Sequence, residues 1–202
     1  MKRLLWLTVL ALALPLTAFA DSVDFTNSGG ILAGSTSGLS LTGSALIAVN
    51  GLNGSGLVTG SDLGSVSFST GALSGGSMQM GGTFAAGGSF TITGNGSNGV
   101  PNGTIFAGTF SGPATWTLVT LANGTHNYTL TGIVAGTLGG SFYTNGVTVQ
   151  LTINTGRGFF NGRTRISSGD TNVVVPEPGS LSLLGTGLLG LAGVIRRKLK
   201  VS

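Results

Sequence analysis

The chain contains no cysteine, one histidine and only 7% charged residues among its 202. Each shortage excludes something. Without thiols there is no disulfide framework, so stability has to come from backbone pairing and an apolar core. One histidine and 5 carboxylates leave little material for an acid–base pair, a nucleophile–base dyad or a multidentate metal site. His126 has no acidic neighbour in sequence, and no G-x-S-x-G elbow occurs. Asp62 and Asp170 stand alone in Gly/Ser-rich stretches predicted to be loops, a poor donor set for calcium. The expectation is a non-enzymatic protein with no catalytic residues, no cofactor and no metal.

Charge is segregated as well as scarce. The net charge of +4 comes from Lys2 and Arg3 at the front and Arg196, Arg197, Lys198 and Lys200 at the back. From Asp21 to Val175 there are only Arg157, Arg163 and Arg165 against Asp21, Asp24, Asp62 and Asp170, a net of −1. That balance leaves no basic patch suited to a phosphate backbone, and nucleic acid is not an expected partner.

The two ends read as addresses. MKRLLWLTVLALALPLTAFAD has a charged start, an apolar run from Leu4 to Leu14, and small residues Ala18 and Ala20 ahead of Asp21. These are the three parts of a secretory signal peptide (1–20), cut by signal peptidase after Ala20. The run is too short for a comfortable membrane span, and Pro15 would break a core helix. At the other end, Pro176 and Pro178 interrupt any helix or central strand. Leu181 to Ile195 then carries no charge, and the basic tail should remain on the cytoplasmic side of a transmembrane helix. Gly187, Gly190 and Gly193 give that segment one smooth face.

Val175-Pro176-Glu177-Pro178, the short Gly/Leu-rich segment and the basic tail, in this order at the end of the chain, closely resemble the PEP-CTERM sorting signal of Gram-negative bacteria. The resemblance covers residues 173–202 and is matched by the signal peptide such proteins need. It implies recognition by an exosortase, with processing near the Pro-Glu-Pro motif. It further implies export across the inner membrane, transient anchoring there, and an association with exopolysaccharide or biofilm at the cell surface.

Residues 21–172 form the remaining domain. Of the 38 glycines, 33 precede Gly179, a density that disfavours helices. Alternation such as Phe90-Thr-Ile92, Trp116-Thr-Leu118 and Val147-Thr-Val149-Gln-Leu151-Thr-Ile153 predicts half-buried strands. The continuous run Ala45–Val49 predicts a strand covered on both faces. Asn-Gly pairs begin at positions 50, 53, 95, 98, 102, 123, 145 and 161, and most should mark turns that need positive φ. Around Asn123-Gly124, a three-residue loop pairs Leu118 with Tyr128 and Trp116 with Leu130. Around Asn145-Gly146, a two-residue loop would pair Phe142 with Val149 and Leu138 with Ile153. The fold class is all-β: one Gly-rich antiparallel sandwich or barrel-like domain between a signal helix and a transmembrane helix. The segment from Gly71 to Gly88 is expected to be loosely ordered.

Gly94-Asn-Gly96-Ser-Asn-Gly99 matches G-x-G-x-x-G, but neither a following helix nor an acid about 20 residues on accompanies it, so it reads as a turn. The five N-x-[ST] sequons, at Asn53, Asn95, Asn102, Asn123 and Asn127, follow from a composition rich in Asn, Gly, Ser and Thr and carry no glycosylation assignment. Thr91-Ile-Thr93, Thr115-Trp-Thr117 and Thr129-Leu-Thr131 should place hydroxyls on one strand face. Such a face offers an alternative function, a carbohydrate- or ice-binding module; Trp116, Tyr128 and Tyr143 are candidates to stack on sugar rings, although alternation puts Trp116 and Tyr128 with the core residues Leu118 and Leu130. Arg157, Arg163 and Arg165 flank Phe159-Phe160, an arrangement that can meet an acidic polysaccharide.

Overall fold

Alternating apolar and hydroxyl residues do become strands. The computed structural model describes residues 22–174, and the side chains there except those of 141–147 and 174; the expected signal and sorting segments, with Ala18, Ala20, Asp21, Val175, Pro176, Glu177, Pro178, Arg196, Arg197, Lys198 and Lys200, lie outside the described residues. The strands are β1 (Ser22–Ser28), β2 (Ile31–Ser35), β3 (Gly38–Asn50), β4 (Val58–Thr70), β5 (Leu73–Ser77), β6 (Gly81–Phe84) and β7 (Gly87–Asn95). They continue with β8 (Asn102–Phe110), β9 (Ala114–Thr120), β10 (His126–Leu138), β11 (Ser141–Asn154), β12 (Arg163–Arg165) and β13 (Ser168–Val174). No helix among the described residues is long and apolar enough to cross a membrane.

Eight of these strands close on themselves in the order β11-β13-β1-β3-β4-β7-β8-β10, with β10 pairing back to β11. Every pairing is antiparallel. Of the two architectures the sequence allowed, the barrel is the one formed. Closure removes sheet edges, and each strand contributes to the filling: Phe25, Leu46, Val66, Phe90, Phe106, Val134, Leu151 and Val173 are all buried. Phe90 sits at an aromatic junction, stacked on Phe68 at 5.9 Å and edge-on to Phe106 and Phe110 at 6.0 and 6.4 Å.

Two long strands outgrow the barrel. The first half of β3 pairs with β2, which carries β12, and the first half of β10 pairs with β9, which carries β6 and β5. Trp116 and Tyr128 stack at 4.9 Å between these layers, and both reach the β5–β6 connection: Trp116 Nε1 donates to the Met78 carbonyl at 3.0 Å, and the Tyr128 hydroxyl to that of Gln79 at 2.7 Å. Residues 71–88 are therefore ordered, contrary to the composition-based expectation. Glycine lowers local propensity, but cross-strand pairing and two buried indole and phenol partners hold the segment.

Other expectations separate cleanly. The Asn123-Gly124 register is as predicted, with Leu118 opposite Tyr128, Trp116 opposite Leu130 and Gly124 at φ 79°. The Asn145-Gly146 hairpin is not: both residues lie inside β11, and the reversal occurs at Gly139-Gly140, with φ of 56° and 86°. Leu138 consequently faces Ser141, and Thr137 faces Phe142. Two consecutive glycines supply the positive φ values of a tight hairpin without any Cβ penalty, and so outcompete Asn-Gly; β11 absorbs residues 144–146 as an irregularity opposite Ala135. The run Ala45–Val49 also has a different cause. A register shift between Leu46 and Ala48 lets Leu46 and Val49 both point inward, while Ala45, Ile47 and Ala48 are only half-buried. Asp62 and Asp170 lie in β4 and β13 rather than in loops. The G-x-G-x-x-G match is the β7–β8 turn, with Asn98 at φ 54°, and β13 carries the domain to Val174, past the expected boundary at 172.

Close strand approach makes one glycine decisive. A Cβ at Gly64 would lie 1.9 Å from the Thr93 carbonyl oxygen, and the residue has φ 144°. Gly64→Ala is expected to destabilise the barrel by about 3 kcal/mol, as severe overpacking does. Gly75→Ala, where a Cβ meets nothing within 4 Å, should stay within about 0.5 kcal/mol of the parent. Equal urea midpoints for the two variants would contradict the close approach of β4 and β7.

Candidate functional site

The outer face of β9 and of the adjoining barrel strands is built by alternation: where Trp116, Leu130, Leu151, Thr171 and Phe25 turn inward, their neighbours turn out. Pairing aligns these neighbours in rows. One row runs Thr117, Thr129, Thr152, Asp170, Thr26 across five strands, and the next runs Thr115, Thr131, Gln150, Asn172, Asp24. Within a row, neighbouring residues stand about 4.8 Å apart, the spacing from strand to strand. The Thr129 and Thr152 hydroxyls share a hydrogen bond at 3.1 Å. Asn172 Nδ2 donates to Asp24 Oδ1, and Asn172 Oδ1 is left without a partner. A shallow depression of about 640 Å³ lies over Asp24, Thr26, Gln150, Thr152, Asp170 and Asn172. This face offers hydroxyls, amides and two diagonal carboxylates, the donor and acceptor mix that suits a polyol. Among the described residues no three His, Cys, Asp or Glu side chains converge to hold a metal.

The threonine pairs predicted to share a face do so, and the expected burial of the aromatics holds: Trp116 and Tyr128 are in the core. The side chain of Tyr143 lies outside the described residues. Asp24, Gln150 and Asn172 were missed by sequence reasoning. Their only link is strand register across 148 positions, which no local signal carries.

The second surface is cationic and lies at the β11–β12 connection, residues 155–162. Phe160 is buried, edge-on to Trp116 at 6.0 Å and Tyr128 at 6.3 Å, and its N–H donates to the Tyr128 hydroxyl at 3.0 Å. The adjacent Phe159 faces outward and stacks on the His126 ring at 4.2 Å. His126 is buried at the start of β10, and its Nδ1 shares a 3.0 Å hydrogen bond with the Thr120 hydroxyl. Its side-chain partners are thus a hydroxyl and an aromatic ring, and among the described residues no carboxylate orients it for base catalysis. Arg157, Arg163 and Arg165 are exposed along the same segment. The sequence flagged Phe159 and Phe160 together; the structure divides them, one as anchor and one as surface.

Residues 174–198 match the model of the PEP-CTERM protein-sorting motif. No curated protein and no solved structure matches the chain. The motif marks an exported protein, anchored through its C-terminal segment before processing and sorted by an exosortase.

Proposed function

We propose, starting from the PEP-CTERM motif at residues 174–198, that this chain is a non-enzymatic β-barrel protein of the cell surface or extracellular matrix, associated with exopolysaccharide. In this reading the N-terminal 20 residues are removed by signal peptidase, and the exosortase acts near Pro176-Glu177-Pro178. The observation that carries the polysaccharide association is the outer face of β9, β10, β11, β13 and β1. It is a lattice of hydroxyl, amide and carboxylate groups in register, matched to a hydroxyl-rich polymer and poor in the charge that would draw a polyphosphate. The surroundings of His126 fit this reading, because among the described residues its imidazole is held by Thr120 and Phe159 rather than by a carboxylate.

Co-sedimentation of the purified full chain with exopolysaccharide isolated from its own host tests the association. Retention with the polymer is expected, and a protein left wholly in the supernatant overturns it. A second reading, ice binding, draws on one feature: Thr115 and Thr117 stand opposite Thr131 and Thr129, a small regular hydroxyl array. Thermal hysteresis separates the two, since a polysaccharide-binding barrel is expected to show none.

A further inference from the structure

We propose that Arg157, Phe159, Arg163 and Arg165 form a preorganised rim that binds an acidic polysaccharide bearing uronate carboxylates. This rests on the polysaccharide reading above and adds to its hydroxyl-rich face a second contact that sets the chemical class of the polymer. The three arginines are the only cations between residues 22 and 174, and they fall within the short stretch 157–165. All three are exposed. No carboxylate occurs in β2, in β3 or in residues 155–162, so the strands and loop around them offer no internal counter-ion.

Strand geometry aligns two of the charges. Thr164 lies opposite the buried Leu32, so Arg163 and Arg165 share the outward face of β12, about 6.7 Å apart along the strand. Among the described residues β12 pairs only with β2, and no strand hydrogen-bonds to its other edge. The loop carrying Arg157 is fixed before any ligand arrives. Thr155 N–H donates to the His126 carbonyl at 3.0 Å, His126 N–H to that of Gly156 at 2.7 Å, and Gly34 N–H to that of Gly162 at 2.8 Å. Buried Phe160 anchors its far end. A surface ordered in advance loses little conformational entropy on binding.

The side chains then select the ligand. Guanidinium groups take carboxylates in a two-point fork. Phe159 has one ring face on His126 and remains 48% exposed, so its free face offers an apolar platform for the C–H face of a sugar ring. The described residues carry three arginines against Asp24, Asp62 and Asp170, a balance that gives no long-range field. Polyphosphate affinity grows with the number of phosphates neutralised; a rim of three charges and one ring fits a polymer with sparser carboxylates.

The test measures binding of the full chain, in mild detergent, to polygalacturonate, neutral dextran and duplex DNA at low and high salt. Polygalacturonate should bind most tightly, with affinity falling as salt rises. The Arg157→Gln, Arg163→Gln, Arg165→Gln triple variant should lose about tenfold or more in affinity, given the strength of charge-assisted pairs. Phe159→Leu should weaken binding without changing the salt slope, and unchanged melting would show that the exposed substitutions leave the fold intact. Equal or tighter binding to DNA overturns the proposal. So does a triple variant that binds polygalacturonate like the parent, even where polysaccharide binding itself survives. A parent chain that does not bind polygalacturonate likewise overturns the proposal, and one that binds neither dextran nor the host polymer as well overturns the broader association too.

Discussion

Replacing Pro176, Glu177 and Pro178 together by alanine is expected to leave the protein uncleaved and in the membrane fraction of its host. The sorting motif at residues 174–198 marks the chain for exosortase, and its two prolines disfavour helix shortly before the uncharged stretch from Leu181 to Ile195. Alanine, the strongest helix former, would favour helix through that break and remove the recognised side chains. The basic tail, with Arg196, Arg197, Lys198 and Lys200, would still act as a stop-transfer signal. Cell fractionation and intact mass spectrometry decide the matter, because mass reads both ends of the chain at once. Release at an unchanged mass would mean that processing does not depend on the motif.

Trp116→Ala should be the most damaging single change in the barrel's side layers, lowering the unfolding free energy by about 4 kcal/mol. The ring is 1% exposed, stacks on Tyr128 and meets Phe160 edge-on. Its truncation opens a large cavity and also leaves the Met78 carbonyl without the indole donor. Because Tyr128 and Phe160 share this cluster, the cationic loop should loosen as well. The midpoint of urea unfolding, followed by circular dichroism, should fall accordingly, and acidic-polysaccharide binding should weaken with it. A loss below about 1 kcal/mol would be the value of a surface change and would place the ring outside the core.

The contrast between two Asn-Gly pairs shows how far local sequence reaches. At Asn123-Gly124 the turn chemistry and the alternation of Trp116, Leu118, Tyr128 and Leu130 demand the same register, and the chain adopts it. At Asn145-Gly146 the alternation was equally clear, yet Gly139-Gly140 nearby offered a cheaper reversal and longer pairing between β10 and β11. The order of residues 71–88 was hidden for a related reason. Its partners, Trp116 and Tyr128, lie 38 and 49 positions away from the carbonyls they bind.

By itself the sequence determined the class and the route. Alternation, glycine density and Asn-Gly turns specify antiparallel strands, because those signals act over a few residues. The sorting motif is likewise contiguous and is read as linear chemistry. The tertiary structure decided the rest: closure of eight strands into a barrel rather than a sandwich, the alignment of Asp24 with Asn172 and Gln150, and the division of Phe159 from Phe160. Each of these depends on which distant strands meet and in what register. That is fixed by how the whole set of inward side chains fills one core, and no single stretch of the chain contains it.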